Sequence, residues 1–180
     1  MNNLSNLYQH RNRLICHLFI LTFLFPAVNC FSQLVTETRT GFDLTKAVIH
    51  TDSNASQLVK RSAQLLQQDI ERVTGKKPAI VTAIDKTYTH YIFIGATDNS
   101  AMLNKWQAGG KLDLKNIRDK WEAYRIQTIT GLPGLPSAKA LVIAGSDRRG
   151  TAYGVFELSK QIGVSPWYWW ADVPVARERG

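Results

Sequence analysis

Cysteine is scarce in this sequence, and its positions exclude disulfide and thiol chemistry from most of the chain. The 180 residues contain two cysteines, Cys16 and Cys30. Both fall within residues 1–32, a stretch that we expect to be removed from the mature protein. A mature chain without cysteine has neither a disulfide framework nor a thiolate nucleophile.

Residues 1–32 also lack acidic side chains, which fits a secretory signal peptide. Arg11 and Arg13 precede an apolar stretch from residue 14 to 28, and small or polar residues follow it. A basic start, an apolar centre and a small-residue end are the three parts of a signal peptide. We therefore predict cleavage near residues 30–32 and export to the periplasm or the extracellular space of a bacterium.

A long uninterrupted hydrophobic run is missing as well. The apolar stretch of the leader is too short for a comfortable membrane span and is broken by Pro26. Lipid attachment at Cys30 is the alternative to soluble secretion, although Asn29 stands where such sites usually carry a small residue. We expect no membrane association unless Cys30 is lipidated.

Acidic residues are fewer than basic ones, 14 against 22. Residues 1–32 hold two of the basic and none of the acidic residues, so the mature chain has 20 against 14 and a net charge of +6. The charges are spread along the chain rather than gathered into blocks. Nucleic acid is the usual partner of a basic protein, but export argues against it. An acidic polysaccharide outside the cell is an equally charged partner.

Motifs for nucleotides, metals and cofactors are also missing. Gly145, Gly150 and Thr151 imitate a phosphate-binding loop, but the lysine that must follow the second glycine is absent. His90 has no second metal ligand at a recognisable spacing, so we interpret it as a hydrogen-bonded histidine in a strand. We predict no metal site and no cofactor.

The sequence does contain an alternation of strand and helix patterns. An apolar run within residues 42–50 predicts a first strand, and Asn54 and Gln57 fit the N-cap and N3 positions of a capping box. Apolar residues then recur every three or four positions through residues 58–73, and Gly75 ends the pattern. A long amphipathic helix of this kind covers one face of a sheet.

Similar patterns predict the remaining elements. The further strands fall at 78–84, 90–94, 123–130 and 140–144, the short helices at 99–106 and 114–121, and a final helix at 149–162. The Gly/Pro-rich turn at 131–136 favours a hairpin. We predict an α/β fold, an α+β sandwich in which a mixed sheet of about five strands carries its helices mainly on one face.

The C-terminal third holds the most specific local signals. Asp147 can cap the final helix, whose predicted buried residues include Phe156. Arg148 and Arg149 stand beside the start of that helix, where unpaired N–H groups favour phosphate or carboxylate. Residues 167–170 are four consecutive aromatic residues. Sugar rings stack on such side chains, although packing in a core or at a domain junction is their commoner use.

The stretch from Gly145 to Val175 resembles the end of the N-terminal domain of glycoside hydrolase family 115. It reads Gly-Ser-Asp-Arg-Arg-Gly-Thr-Ala-Tyr-Gly-Val-Phe-Glu-Leu-Ser-Lys-Gln-Ile-Gly-Val-Ser-Pro-Trp-Tyr-Trp-Trp-Ala-Asp-Val-Pro-Val. A continuous match of about thirty residues is far more specific than a short motif. The resemblance implies a xylan α-1,2-glucuronidase that removes (4-O-methyl-)glucuronic acid with inversion, using acids on a (β/α)8 barrel. It also implies an N-terminal domain like those of hexosaminidases and glucuronidases.

The resemblance further implies a division of the chain. Residues 1–32 would be the signal peptide, 33–165 an α/β accessory domain, and 166–180 the start of the catalytic barrel. Because such a barrel takes about 250 residues, the catalytic acid and base would lie outside this sequence, and no catalytic residue is assigned. The implied partners are glucuronoxylan and the barrel of the same chain, and homodimer formation stays open.

Two groups of site residues follow from the resemblance. The loop that faces the domain junction is matched by Asp147, Arg148 and Arg149, and the segment leading into the barrel by Trp169, Trp170 and Asp172. In one hypothesis an arginine of the loop holds the uronate bidentately or orients a barrel loop. In the other, which the capping pattern favours, Asp147 caps the helix while the arginines brace the interface.

A second function class stays open on the sequence alone. The chain would then be a free carbohydrate-binding or interaction module that uses the aromatic segment Trp167–Trp170. Exposed aromatic side chains in a monomer mark either a ligand site or an aggregation liability.

Overall fold

The structure, a computed structural model, describes residues 42–165. In chain order its elements are β1 (Ala47–Thr51), α1 (Gln57–Thr74), β2 (Ile80–Val81), β3 (His90–Ala96), α2 (Ala101–Ala108), β4 (Tyr124–Leu132), β5 (Leu135–Gly145) and α3 (Arg148–Gln161), with a single 3-10 turn at Leu44–Lys46 before β1. None of the helices between residues 42 and 165 is long and apolar enough to cross a membrane.

The five strands form one mixed sheet in the order β2-β1-β3-β5-β4. Strands β2, β1, β3 and β5 run parallel to one another, and β4 pairs antiparallel with β5 through the predicted hairpin. Central β3 is buried from Tyr91 to Ala96. Its nearly continuous apolar sequence matches this position, because a parallel strand covered on both faces needs apolar side chains on both sides. The predicted mixed α/β sheet is confirmed.

The two faces of the sheet are covered differently. On one face, the two long helices α1 and α3 pack against alternate strand residues such as Ile49, Ile92 and Ile143. On the other face lie α2 and the segment 111–121. The prediction that the helices lie mainly on one face therefore holds for both long helices.

An aromatic stack fills the second face. The rings of Tyr91 and Phe93 stack with centroids 5.0 Å apart, and Trp106 of α2 meets Phe93 edge to face at 4.8 Å. Offset and edge-to-face arrangements of this kind are the favourable geometries for aromatic pairs. Trp106 and the buried Leu103 thus pack the short helix α2 against the sheet.

The start of α1 corrects one prediction. The N-cap is Ser56, whose hydroxyl accepts from the backbone N–H of Val59, and not Asn54. A turn closed by the hydrogen bond from Ala55 N–H to the Asp52 carbonyl delays the helix. The side chain of Asn54 instead donates to Asn99 Oδ1 at 3.0 Å.

Two predicted elements are shorter or absent. The strand expected at 78–84 is reduced to Ile80–Val81, the two residues that pair with Ile49 and His50 of β1. The helix expected at 114–121 is a series of turns. Asp119 and Glu122 have positive φ angles there, of 61° and 55°. A right-handed helix cannot contain that backbone conformation.

Two side chains of the predicted apolar stripes lie outside the core. Leu58 and Phe156 are both exposed. In the first turn of α1 the buried residue is Val59 rather than the predicted Leu58, whereas Leu66, Ile70 and Val73 farther along the helix are buried as predicted. The C-terminal end of α1 and the start of α3 are as predicted. Gly75 ends α1 with a φ angle of 74°, and Asp147 caps α3.

Candidate functional site

The chain leaves two neighbouring parallel strands in opposite directions. After β1 it passes to α1 on one face of the sheet, and after β3 it passes to α2 on the other face. A crevice opens at the carboxyl ends of strands where neighbouring connections diverge in this way, and open α/β sheets place their ligand sites there.

A cleft of about 300 Å³ occupies this crevice. Its polar lining comes from three parts of the chain: Asp52 and Ser56 after β1, Asp98, Asn99 and Ser100 after β3, and Arg148 at the start of α3. Ser56 and Ser100 are the N-caps of α1 and α2, so their hydroxyls already serve helix starts. The cleft is bordered by one basic and two acidic side chains, and the apolar residues Ala55 and Val59 complete its wall.

Asp147, beside this cleft, caps α3 and also ties a distant segment to it. Its Oδ1 atom accepts from the backbone N–H groups of Arg149 and Gly150, both at 2.8 Å. Its Oδ2 atom accepts from the backbone N–H of Glu122 at 2.9 Å. Asp147 is therefore a structural carboxylate with three backbone donors.

The protonation of Asp147 follows from these contacts. Burial by itself raises the pKa of this carboxyl group. Hydrogen bonds from the backbone N–H groups of Gly150, Glu122 and Arg149 outweigh burial, together with the positive charge of Arg149, so the net pKa is lowered. The group stays ionised, the opposite of what a general acid requires.

Ser146 adds a second tie to the same segment. Its backbone N–H donates to the Ala123 carbonyl at 2.8 Å, and its Oγ accepts from the Ala123 N–H at 3.0 Å. Gly150 lets the two segments approach closely, because a Cβ atom at this position would overlap the Ala123 carbonyl oxygen. The residue types at Ser146, Asp147 and Gly150 are thus set by contact with residues 122 and 123.

The two arginines of the turn have different surroundings. Arg149 lies with Nη1 3.0 Å from Glu122 Oε1 and donates from Nη2 to the Tyr153 hydroxyl at 3.4 Å. Arg148 makes no hydrogen bond or ion pair with any residue in the described range and faces the cleft. Arg149 braces the domain itself, whereas Arg148 is the arginine available to another group.

The predicted site residues are therefore only partly brought together. Asp147 and Arg149 both contact Glu122. No motif in the local sequence marks Glu122 as a site residue, and only its contacts in the folded structure identify it. Three further predicted site residues, Trp169, Trp170 and Asp172, lie outside the described residues.

A second cleft, of about 420 Å³, lies beside α2. Its arginine, Arg118, already donates to Gln107 Oε1 at 2.7 Å. Among residues 42–165 no group of three side chains is arranged to hold a metal ion.

Neither a scan against protein-family models nor a search of curated proteins finds a match for this sequence. A solved structure does match. It is described as "A novel family GH115 4-O-Methyl-alpha-glucuronidase, BtGH115A, with specificity for decorated arabinogalactans" and aligns with a TM-score of 0.58 and 30% sequence identity. The alignment covers 73% of this chain and 16% of that one. The chain has a GH115-like fold.

The GH115-like domain thus spans less than a fifth of the length of that glucuronidase. A second structure, described as "Structure of CpGH84D", aligns at 12% identity with a TM-score of 0.48 over 65% of this chain and 18% of that one. That similarity is too low to carry information about function.

Proposed function

We propose that this chain is the N-terminal accessory domain of an exported α-glucuronidase whose catalytic barrel follows it in the same polypeptide. The observation that carries the proposal is the 30% identity to a GH115 4-O-methyl-α-glucuronidase over 73% of the chain. The signal-peptide pattern of residues 1–32 supports export.

The chemistry of the described carboxylates agrees with an accessory role. Inverting glycoside hydrolysis needs one carboxyl group kept protonated as the acid and a second that activates water. Asp147 has a lowered pKa and accepts three backbone hydrogen bonds, and Glu122 is paired with Arg149. These two carboxylates are engaged within the domain, and the resemblance to the family places the acid and base on the barrel.

The proposed substrate class is a polysaccharide that carries α-linked (4-O-methyl-)glucuronic acid. The resemblance of residues 145–175 favours glucuronoxylan, whereas the aligned glucuronidase is described as specific for decorated arabinogalactans. Both would present the same uronic acid on different main chains. The excess of basic residues in the mature chain suits either acidic polymer.

The test is an assay of the natural secreted polypeptide that contains this sequence. We expect an intact mass that corresponds to several hundred residues more than the present chain. We also expect the polypeptide to release (4-O-methyl-)glucuronic acid from glucuronoxylan or from decorated arabinogalactan. The first anomer of the released uronic acid, followed by NMR, should be the β form, because inversion reverses the α bond.

Two results would contradict the proposal. A secreted polypeptide that ends near Gly180 would favour the free carbohydrate-binding module built on Trp167–Trp170. A long polypeptide that releases no uronic acid from either polymer would leave the fold but remove the glucuronidase activity.

A further inference from the structure

The cleft beside α2 is larger than the cleft in the crevice, about 420 Å³ against about 300 Å³. Small ligands are usually bound in clefts of about 300–1,000 Å³, so this one is large enough for a single sugar unit. Its polar side chains come from α2 and from the segment that follows it, and they are Asn104, Gln107, Asp113, Lys115 and Arg118. Asp147, Arg148 and Arg149 do not line it, so the function proposed above makes no use of this cleft.

Three planar polar side chains of the cleft are linked by hydrogen bonds. Arg118 donates from Nη2 to Gln107 Oε1 at 2.7 Å and to Asn104 Oδ1 at 3.5 Å. Asn104 donates from Nδ2 to the Thr97 carbonyl at 3.0 Å. Because each side chain is held by its neighbour, the guanidinium group is positioned before a ligand arrives. Positioning of this kind lowers the conformational entropy that binding costs.

The same contacts leave several hydrogen-bond donors of the cleft unused. A guanidinium group has five N–H donors, and a primary amide has two. Within residues 42–165, Arg118 donates only from Nη2, and the Nε2 atom of Gln107 has no acceptor. A planar guanidinium group with free N–H groups matches a carboxylate in bidentate geometry. The amide donors of Gln107 match hydroxyl or carbonyl oxygens beside that carboxylate.

Positive charge is in excess around this cleft. Residues 101–121 contain five basic side chains and two acidic ones. The basic residues are Lys105, Lys111, Lys115, Arg118 and Lys120, and the acidic ones are Asp113 and Asp119. Asp113 is engaged locally, because it accepts from the backbone N–H of Lys115 at 3.1 Å. Outside this stretch, Asp98 lines the other cleft and Glu122 is paired with Arg149. The cleft therefore favours an anionic ligand.

We infer that the cleft beside α2 is a secondary polysaccharide-binding site, which takes a uronic acid side group of an acidic polymer. Arg118 binds the uronate carboxylate through two N–H groups, and Gln107 donates to a neighbouring ring hydroxyl. Leu112 also lines the cleft and supplies an apolar contact for the C–H groups of the sugar.

The inference rests on the proposed function, which supplies a polymer that carries uronic acid. Such a site contributes no catalytic group. It holds the polymer through a second contact, and a second contact raises the effective concentration of the polymer at the catalytic domain.

Native affinity electrophoresis of the natural secreted polypeptide tests the inference, because the mobility reports binding whether or not the polymer is cleaved. One gel contains glucuronoxylan, a second contains the same polymer after chemical reduction of its uronic acids to neutral sugars, and a third contains no polysaccharide. We expect slower migration in glucuronoxylan than in the reduced polymer, both relative to the third gel. Reduction removes the carboxylate but keeps the hydroxyl groups, so the difference measures recognition of the uronate.

Arg118→Ala should weaken the affinity for glucuronoxylan about fivefold, because it removes a charge-assisted bidentate contact. The fold should survive this change, since the side chain is exposed and its segment is held by the buried residues Leu112, Leu114 and Ile117. Arg118→Lys keeps the charge but loses the planar pair of donors. Its affinity should therefore lie between those of the wild type and Arg118→Ala.

Arg61→Ala is the matched control. Arg61 is also an exposed arginine that donates to a glutamine, Gln64, at 3.2 Å. It belongs to α1, which covers the opposite face of the sheet from α2. The substitution removes the same charge at a distance from the cleft, so the affinity for glucuronoxylan should not change.

Steady-state kinetics give a second readout. With glucuronoxylan as substrate, Arg118→Ala should raise KM and leave kcat unchanged, because the secondary site binds polymer without taking part in the reaction. With a short uronate-bearing oligosaccharide, which occupies only the catalytic site, both constants should be unchanged.

Four results would overturn the inference. Equal affinities of the wild type and Arg118→Ala would show that the cleft does not bind the polymer. Equal losses in Arg118→Ala and Arg61→Ala would assign binding to the overall charge. Full affinity in Arg118→Lys would refute the bidentate contact, and equal retardation in native and reduced polymer would refute recognition of the uronate.

Failure of this inference and failure of the proposed function are distinguishable. A polypeptide that releases no uronic acid, but whose retardation depends on Arg118, would refute the glucuronidase activity and support the secondary site. A polypeptide that releases uronic acid with the same KM in the wild type and in Arg118→Ala would do the reverse.

Discussion

Asp147 Oδ2 accepts a hydrogen bond of 2.9 Å from the backbone N–H of Glu122, which lies 25 residues earlier in the chain. The same carboxylate caps α3 through its other oxygen. One side chain therefore both starts the last helix and fixes the segment that presents Trp121. Local capping and long-range structure are coupled at this residue.

Asp147→Ala should destabilise the chain by about 2 kcal/mol, because it removes a helix cap and leaves the N–H of Glu122 without its acceptor. Urea unfolding followed by circular dichroism measures this loss. Asp147→Asn retains one acceptor oxygen, so its loss should be smaller. Asp85→Ala is the control, since Asp85 caps only an exposed turn at Thr87, and it should leave the midpoint unchanged. Equal losses for Asp147→Ala and Asp85→Ala would contradict this role for Asp147.

Gly150→Ala should destabilise the chain by about 2–3 kcal/mol, because the added methyl group would overlap the Ala123 carbonyl oxygen and force the two backbones apart. Gly109→Ala is the matched control. At Gly109 the φ angle is −80° and a Cβ would lie 3.4 Å from its nearest neighbour, the Lys105 carbonyl oxygen. That change should stay within about 0.5 kcal/mol. An unchanged free energy of unfolding in Gly150→Ala would show that the turn can move to admit the methyl group, and would contradict this prediction.

Arg149→Ala should lower the unfolding temperature slightly at low salt and not at all in 1 M salt, because its ion pair with Glu122 is exposed. Arg148→Ala should have no effect on stability at either salt concentration, since Arg148 has no ion-pair partner among residues 42–165. Differential scanning fluorimetry at both salt concentrations measures the difference.

In the proposed full-length glucuronidase, Arg149→Ala should leave turnover on uronate-bearing polysaccharide unchanged, because Arg149 is already engaged by Glu122 and Tyr153. Lost turnover at unchanged stability would instead support the hypothesis that this arginine holds the uronate.

His50 should make the domain sensitive to mild acid. The side chain is 4% exposed, and its Nδ1 atom has no hydrogen-bond partner among the described residues. Burial lowers the pKa of His50, against the attraction of Asp52 and a hydrogen bond with the Thr82 backbone. The unfolded imidazole, with a pKa near 6.5, then binds a proton more readily than the folded one. Stability is therefore full above about pH 6.5 and falls below it.

His50→Gln should flatten the decline in unfolding free energy between pH 7.5 and 5.5, as measured by urea titration at several pH values. His90→Gln is the comparison. Burial also lowers the pKa of His90, but this ring is only partly buried and contacts the Thr89 hydroxyl, so the flattening should be smaller. An unchanged slope in His50→Gln would place the acid sensitivity elsewhere.

Trp106→Ala should cost about 3–5 kcal/mol, the usual loss for removing a buried tryptophan. Its ring is buried against Phe93 in the core on that face of the sheet. Guanidinium unfolding followed by circular dichroism measures the change. Trp121→Ala in the 180-residue chain is the control and should be neutral, because that side chain is in solvent. Similar losses for the two would contradict the assignment of Trp106 to the core.

Elements with strong local patterns were predictable. Helix α1, the central strand β3, the β4–β5 hairpin and the Asp147 cap all follow from periodicity, apolar runs and turn residues over short stretches. The resemblance of residues 145–175 to the GH115 family also came from a continuous stretch, and the aligned glucuronidase supports a GH115-like fold.

Features that depend on distant partners were not predictable. The N-cap of α1 is Ser56 rather than Asn54, because Asn54 is engaged by Asn99 across the sheet edge. The length of β2 depended on how many of its residues pair with β1, and the exposure of Phe156 depended on the side from which the sheet meets α3. Local sequence contains none of this information.

The sequence by itself determined the alternation of strands and helices, the absence of cysteine chemistry after residue 32, and the cap at Asp147, because each depends on residues close together in the chain. Only the tertiary structure decided that Arg149 is engaged while Arg148 faces the cleft, and that Trp121 is held in solvent. These outcomes depend on Glu122, which reaches the start of α3 only when β4 pairs with β5.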